Sequence, residues 1–496
     1  MIKKNIIANF FGKFWGFFSS FLFTPLYIHY LGIEGFSIIS FSLVIVGLMS
    51  ILDAGLSATI SREFALKTNN QSDKKNIFST YELFYFGVVI LTILIIFIFS
   101  THIATHWLNL DLINPLKVSL YIKLIGIGVA FQLLSNFYFG GFLGLELQVK
   151  GNIYQVGWGI ARNALVVIPL IYYPSLELFF LWQAAITIIY AFLLRKSLLN
   201  ELKTKIPIFR RPFVDKSIFK RTWKFAWGML LISIVASLNT QMDKLAISKL
   251  LPISILGYYT LAISLSQSIF LLVSPISTAI LPRFTSLYSE KKIGEIISLY
   301  NRMSILISII VFSFGFNIIF YAKDLIWIWT GNISLANNVY NLVPYLTVGM
   351  ILYTFQLLPY TIAIANGYTK LNNILGIASL FLTIPGYWLM TKYFGAIGAA
   401  ITWSSVQIIL TVIYVYFINN RFLSNIKQFQ YVLNDFIKPA FIAIIVAYLF
   451  HQFTYFSENR FGQLFWIGLS TSVTLISCVL LLVRKSEFIY LKNMIK

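Results

Sequence analysis

Charge is scarce in this sequence, and cysteine is nearly absent. Of 496 residues only 11% are Asp, Glu, Lys or Arg, one is cysteine and four are histidine. A single thiol, Cys478, makes no intramolecular disulfide and leaves no thiolate cluster for a metal. His102 and His106 stand four apart, as on one face of a helix, but no third ligand lies near them. Nucleophile–base constellations, glycine-rich phosphate loops and metal-ligand motifs are missing too, which argues against an enzyme. So is any long polar stretch that could fold as a soluble domain. A soluble chain of this length would need far more charge to cover its surface.

What fills the space is apolar: 58% of the residues are hydrophobic and the mean hydropathy is +0.80. A bilayer core of about 30 Å takes roughly 20 mostly apolar residues per helix. Fourteen such stretches can be marked, at 9–30, 35–58, 78–100, 116–140, 152–172, 175–195, 221–242, 253–279, 299–322, 339–364, 370–392, 396–418, 434–452 and 462–483. The prediction is an all-α polytopic membrane protein. The first run follows Lys3 and Lys4 as a signal peptide would. It continues unbroken to Tyr30 without a small-x-small cleavage site, so it reads as a retained helix.

The charge that does occur is lopsided, 38 Lys and Arg against 17 Asp and Glu. With the N-terminus in the cytoplasm, most of the cations fall in or beside cytoplasmic segments, the positive-inside pattern, and both termini lie there. The run "KTKIPIFRRPFVDKSIFKR" is then a topology anchor beside anionic membrane lipids rather than a nucleic-acid site. All four histidines fall on the outer side.

The chain also repeats itself at an offset near 220. Gly35 of "GFSIIS" pairs with Gly257 of "GYYTLA", Arg62 with Arg283, Lys74 and Lys75 with Lys291 and Lys292, Lys150 with Lys370, and Trp182 with Trp403. This predicts two six-helix lobes, residues 1–196 and 221–420, joined by a basic cytoplasmic linker, 197–220. Residues 421–496 hold the last two spans and a tail. Six spans is an even number, so the repeat is parallel, and folds of this kind transport by rocking one lobe on the other around a site near the midplane. Pro25, Pro169, Pro275, Pro359 and Pro385 sit inside spans, where they kink helices.

Polar residues recur at helical spacing in the first span (Asn9, Lys13, Gly16, Ser20, Thr24) and the seventh (Ser233, Ser237, Gln241, Lys244, Ser248). Close packing through small residues explains part of such stripes. Lys13, Gln241 and Lys244 point to a wet face. Among charges in the spans, Lys123 and Arg162 lie deepest, where a charge costs at least ~2.5–3.5 kcal/mol. Arg162 has no acid at i±3 or i±4. It therefore faces water, an anionic ligand that it grips by forked hydrogen bonds, or a carboxylate from another helix, such as Glu146. Asp53 and Asp243 occupy span ends, where each is a candidate for proton or sodium coupling, or for capping and pairing.

"TPLYIHYLGIEGFSIISFSLVIVGLMSILDAGLSATISREFA" resembles the opening of the polysaccharide-export branch of the multidrug/oligosaccharidyl-lipid/polysaccharide exporter superfamily. "QMDKLAISKLLPISILGYYTLAISL", followed by "ILPRF", is similar to the start of its second half, and "YFGAIGAAITW" to the opening of its penultimate core helix. The resemblance is to Wzx-type O-antigen flippases. It implies a bacterial inner-membrane protein that moves an undecaprenyl-diphosphate-linked oligosaccharide repeat unit outward, without a cofactor, alongside an O-antigen polymerase and a chain-length regulator. It implies a cationic lumen, for which Lys13, Lys123 and Arg162 are the candidates in the first lobe and Lys244 in the second. Arg62 and Arg283 are the candidates for gating the inward opening. Fourteen spans is closer to the lipid II flippase arrangement, whose two extra helices form a tail groove. Two alternatives stand beside this reading. A cation-coupled drug exporter of the same superfamily would need acids rather than bases in its cavity. A polysaccharide polymerase or ligase would need a larger outer loop than 101–115 or 323–338.

Overall fold

The computed structural model describes residues 2–53, 55–66, 70–204, 206, 216–423, 428–453 and 459–482, with side chains left undescribed at 2–14, 17, 20, 216–219, 221–225 and 428. The side chain of Lys13 and most of the 205–215 basic run lie outside the described residues. Among those residues the protein is all-α, and the only extended pairing is an isolated bridge between Asn109 and Pro252. Hydrocarbon offers the backbone no hydrogen-bonding partner, so each apolar run closes its own bonds as a helix.

The helices run α1 (Ile2–Met49), α2 (Leu56–Ala65), α3 (Gln71–His102), α4 (Pro115–Gly144), α5 (Gln148–Gly159), α6 (Val167–Tyr172), α7 (Leu176–Glu201), α8 (Lys216–Leu250), α9 (Ile253–Ser289), α10 (Ile293–Phe320), α11 (Ala322–Thr330), α12 (Ile333–Val339), α13 (Val343–Phe355), α14 (Leu357–Ala365), α15 (Lys370–Phe422), α16 (Gln428–Tyr431), α17 (Lys438–Gln452) and α18 (Arg460–Leu482). Eleven helical stretches among the described residues are long and apolar enough to cross a membrane, which makes this a multi-pass membrane protein. Two of the longest helices are broken. Gly32 in α1 and Gly395 in α15 take left-handed φ values of 72° and 62°, a conformation that costs any residue with a Cβ. These breaks fall between the first and second predicted spans, and between the eleventh and twelfth.

The chain divides into two compact units, residues 1–257 and 258–496. The first unit packs around aromatic residues. Phe78, Tyr81, Tyr85, Phe137, Tyr138 and Phe142 are all buried, with Leu194 and Leu198 of α7. Close approach is arranged by glycine. A Cβ at Gly140 would lie 2.4 Å from the Ser57 carbonyl oxygen, and one at Gly144 would lie 2.5 Å from that of Ser61, so α4 rests on the backbone of α2. Glu34 accepts backbone N–H bonds from Asp111, Leu112 and Ile113 at 3.0–3.1 Å and fixes the turn before α4.

The polar stripe of α8 is a packing seam. Ser237 meets Ser50 at 3.2 Å, Gln241 lies over Gly47, and Ser248 accepts from the Trp107 indole at 3.1 Å. This corrects the expectation of a wet face for those α8 positions. The seam places α8 in the first compact unit, although the sequence repeat starts the second half at 221. A repeat records similarity along the chain, whereas compactness records packing, and the two need not divide at the same residue.

In the second unit α17 and α18 pack on α10, and hydroxyl and amide contacts tie α10 to α18 and to α16. Asn317 accepts from Ser470 at 2.6 Å, and Ser304 donates to Tyr431 at 3.1 Å. Gln356 donates to Gln407 at 2.9 Å and to Thr411 at 2.8 Å, tying α14 to α15. Large apolar side chains such as Ile98, Phe381 and Leu480 are exposed, as lipid-facing residues are.

Candidate functional site

The stretch 148–172 is apolar enough for one continuous helix, yet it loosens into a wide turn at 160–164 between α5 and α6. Wide turns of this kind interrupt regular backbone bonding and occur often at functional positions. Three successive carbonyls in the turn receive side-chain donors from other helices. Trp182 donates its indole N–H to Ala161 at 2.9 Å, Gln183 its amide to Arg162 at 3.0 Å, and Tyr27 its hydroxyl to Asn163 at 2.7 Å. Asn163 in turn donates to Ser19 at 3.0 Å. The turn is thereby fixed from both sides, by α7 and by α1.

Arg162 projects from this turn. Its Nε donates to the Gln183 side-chain oxygen, and its guanidinium lies 4.9 Å from the Trp158 ring. Trp158 is itself stacked on Tyr190 at 5.1 Å. A cation over an indole face is attracted by the ring quadrupole without being neutralised. No carboxylate pairs with Arg162 among the described residues, Glu146 included. A guanidinium keeps its proton in proteins. The result is a fixed positive charge inside an apolar segment, held by neutral groups.

The other cationic candidates whose side chains are described each have contacts of their own. Lys123 on α4 directs its ammonium at Phe97 of α3, 5.9 Å from the ring centre. Lys244 pairs with its neighbour Asp243 at 3.3 Å and donates to the Thr240 carbonyl at 2.9 Å. Lys13 lies outside the described side chains. Arg62 and Arg283 are about half exposed and meet Glu63 and Glu295, each at 3.4 Å. Of the three lumen candidates whose side chains are described, only Arg162 sits in an assembled constellation of neighbours.

The two acidic candidates differ. Asp243 is tied to Lys244. Asp53 ends a short turn, Ser50–Asp53, just before Gly55, whose φ of 68° breaks the helical path. Its carboxylate accepts from the Tyr85 hydroxyl and from Ser57 at 2.6 Å, two neutral donors. His102 and His106 stack on each other at 4.8 Å, and among the described residues no group of three or more metal-ligating side chains forms.

Sequence reading missed the neutral members of the constellation. Gln183 is the one amide in the run "LELFFLWQAAITIIYAF", an unusual residue for a span, and that was the available signal. Trp158 and Tyr190 blend into a chain with 17% aromatic residues and gave none.

Known proteins frame this geometry. In fold the chain is similar to lipid II flippase MurJ in an inward closed conformation, with a TM-score of 0.76 at 16% identity, covering 100% of both chains. It is also similar to a multidrug resistance MATE family transporter of the MOP superfamily in an inward-facing conformation, with a TM-score of 0.63 at 13% identity. That match covers 82% of this chain and 95% of the other. A curated relative from Shigella flexneri, "Putative O-antigen transporter", is 22% identical over 400 residues, which is 79% of this chain and 92% of that protein. The polysaccharide biosynthesis protein family matches residues 2–288, more than half of the sequence, and the chain belongs to that family.

Proposed function

We propose that this protein is a flippase of the bacterial inner membrane that carries an undecaprenyl-diphosphate-linked oligosaccharide repeat unit, of O-antigen or capsule, to the outer leaflet by alternating access. One observation carries the reading: Arg162 is a permanent cation inside the apolar stretch 148–172, which we read as a crossing, and its neighbours Gln183 and Trp158 leave its charge uncancelled. Keeping such a charge in hydrocarbon costs at least ~2.5–3.5 kcal/mol, a cost that an anionic cargo would repay. A diphosphate presents the oxygens that a guanidinium grips in a forked pair. The family match and the Shigella relative point to the same cargo class. A drug exporter for cations has no use for an uncancelled arginine at this place.

Fourteen crossings with both termini in the cytoplasm remain our reading, with Arg62 and Arg283 attracting the diphosphate on the cytoplasmic side. Lys123, Lys244 and Lys13 act as secondary cations along the route. Coupling to a proton or sodium gradient runs through Asp53 in preference to Asp243, because Asp53 meets neutral hydroxyls whereas Asp243 meets an ammonium. Undecaprenyl-linked glycan, membrane lipids, and a polymerase with its chain-length regulator are the expected partners.

Complementation tests this. In a strain lacking its own flippase but retaining the matching glycosyltransferases, the wild-type protein restores surface glycan. Arg162→Ala at equal abundance does not, and Arg162→Lys restores part. Normal glycan from Arg162→Ala overturns the role given to Arg162, and no glycan from the wild type overturns the flippase reading.

A further inference from the structure

Gln183 makes two bonds to one residue. Its oxygen accepts from the Arg162 Nε, and its nitrogen donates to the Arg162 carbonyl at 3.0 Å. The side chain is buried, 8% exposed, and rides on α7, which also supplies Leu194 and Leu198 to the apolar core. The neighbouring Trp182 anchors the preceding carbonyl. Two adjacent α7 side chains thus hold the backbone of the wide turn, and one of them also holds the guanidinium. Trp158, braced by Tyr190, fills in beside the guanidinium at 4.9 Å. Each of these groups orients the cation, and none carries a negative charge.

A carboxylate at 183 would have nearly the same shape and would form an ion pair with Arg162. That choice would accept from Nε and offset the charge, at the loss of the N–H donated to the Arg162 carbonyl. An amide instead fixes the geometry and leaves the charge whole. It also occupies only Nε. Among the described residues no hydrogen bond engages the two terminal nitrogens, the pair of donors that matches two oxygens of a phosphate group.

We infer that Gln183 is a positioning residue that holds Arg162 in place while keeping it uncompensated, so that its terminal fork binds the diphosphate of a lipid-linked substrate. This rests on the flippase reading for its substrate but not for its chemistry. The relevant ligand class is a diphosphate ester, as opposed to the monoanionic phosphodiester of an ordinary phospholipid. Gln183 sets the charge of the site without itself touching the ligand.

The test is Gln183→Glu in the full-length protein, purified in detergent. The new carboxylate keeps the bond from Nε and adds an ion pair, and it gives up the N–H that Gln183 donates to the Arg162 carbonyl. The inference predicts that the folded variant binds about tenfold or more weaker than wild type, the loss of a charge-assisted forked contact, and weaker than Gln183→Met, which lacks both bonds but leaves the cation uncompensated. The probes are inorganic pyrophosphate and, as a separate arm, a polyprenyl diphosphate in micelles, with phosphatidylglycerol as the phospholipid comparison. Wild-type affinity in Gln183→Glu overturns the inference. Equal binding of phosphatidylglycerol overturns the diphosphate assignment. Gln183→Met covers the case in which the Glu variant is not recovered. It keeps the charge, so it should bind pyrophosphate better than Arg162→Ala, and binding no better than that overturns the inference. If the wild type restores no surface glycan while pyrophosphate binding still depends on Arg162 and Gln183, the flippase reading fails and this inference stands.

Discussion

Arg195 and Glu82 form a forked ion pair inside the first unit, with Nε 2.7 Å from Oε1 and Nη2 3.2 Å from Oε2. Tyr138 donates to the same carboxylate at 3.0 Å, and Nη2 also reaches the Ile206 carbonyl at 2.9 Å. Both side chains are buried, so the pair joins α3, α4 and α7 to the segment beyond α7. Removing one member of a buried pair strands the other charge, at a cost of about 3–5 kcal/mol. Glu82→Ala is therefore expected to lower heat resistance sharply, measured as the monomer surviving heating in detergent. Glu82→Ala combined with Arg195→Met removes the stranded charge and should recover most of the loss. A double variant no better than the single one contradicts this account.

That pair also marks a limit of sequence reading. By sequence alone Arg195 counts among the cations expected in the cytoplasm, and a census of Lys and Arg does not distinguish a solvated charge from a buried, paired one. The helical character was legible throughout, because runs of about 20 apolar residues leave few alternatives. The breaks at Gly32 and Gly395 were legible as gaps between spans. Arg162 stood out because hydrophobic neighbours make any charge conspicuous. Its partner did not, since Gln183 lies on another helix and the wide turn at 160–164 has no signature in an apolar sequence. The α8 stripe was ambiguous in principle: Ser237 and Gln241 satisfy the same spacing whether they face water or Ser50 and Gly47.

The loop before α4 is strapped to the junction of α8 and α9. Asn109 bridges Pro252, the Ile253 N–H donates to the Asn109 carbonyl at 2.8 Å, and Ser254 donates to Asp111 at 2.9 Å. A transport cycle that shifts α8 must release this strap. With Cys478→Ser removing the single native thiol, Asn109→Cys and Pro252→Cys should form a disulfide on mild oxidation. Surface glycan export should then stop and return on reduction. Undiminished export by fully cross-linked protein would show that the strap stays closed throughout the cycle.

Gly55 is required twice over. Its φ of 68° penalises any other residue by roughly 1–2 kcal/mol, and a Cβ there would lie 2.0 Å from the Met229 Cβ on α8. Gly55→Ala should reduce the amount of folded protein recovered from membranes. Adding Met229→Gly relieves the steric part and leaves the backbone part, so recovery should be incomplete. Wild-type recovery of the single variant would mean that α8 moves aside at no cost.

Asp324 lies in the first turn of α11, outside the membrane-crossing helices. Burial raises its carboxyl above the ordinary carboxylate range, with the nearby His451 and Gln463 pulling partly the other way. A folded-state value above the unfolded one means the native fold favours the protonated acid. Stability is then fullest below the unfolded pKa of about 3.9 and declines as pH rises through the folded value. Asp324→Asn imitates the protonated form at every pH. It should increase heat resistance at pH 7.5, and the gain over wild type should shrink as the pH approaches 4. A variant less stable than wild type at pH 7.5 would mean that the ionised carboxylate gains more from His451 and Gln463 than it loses to burial.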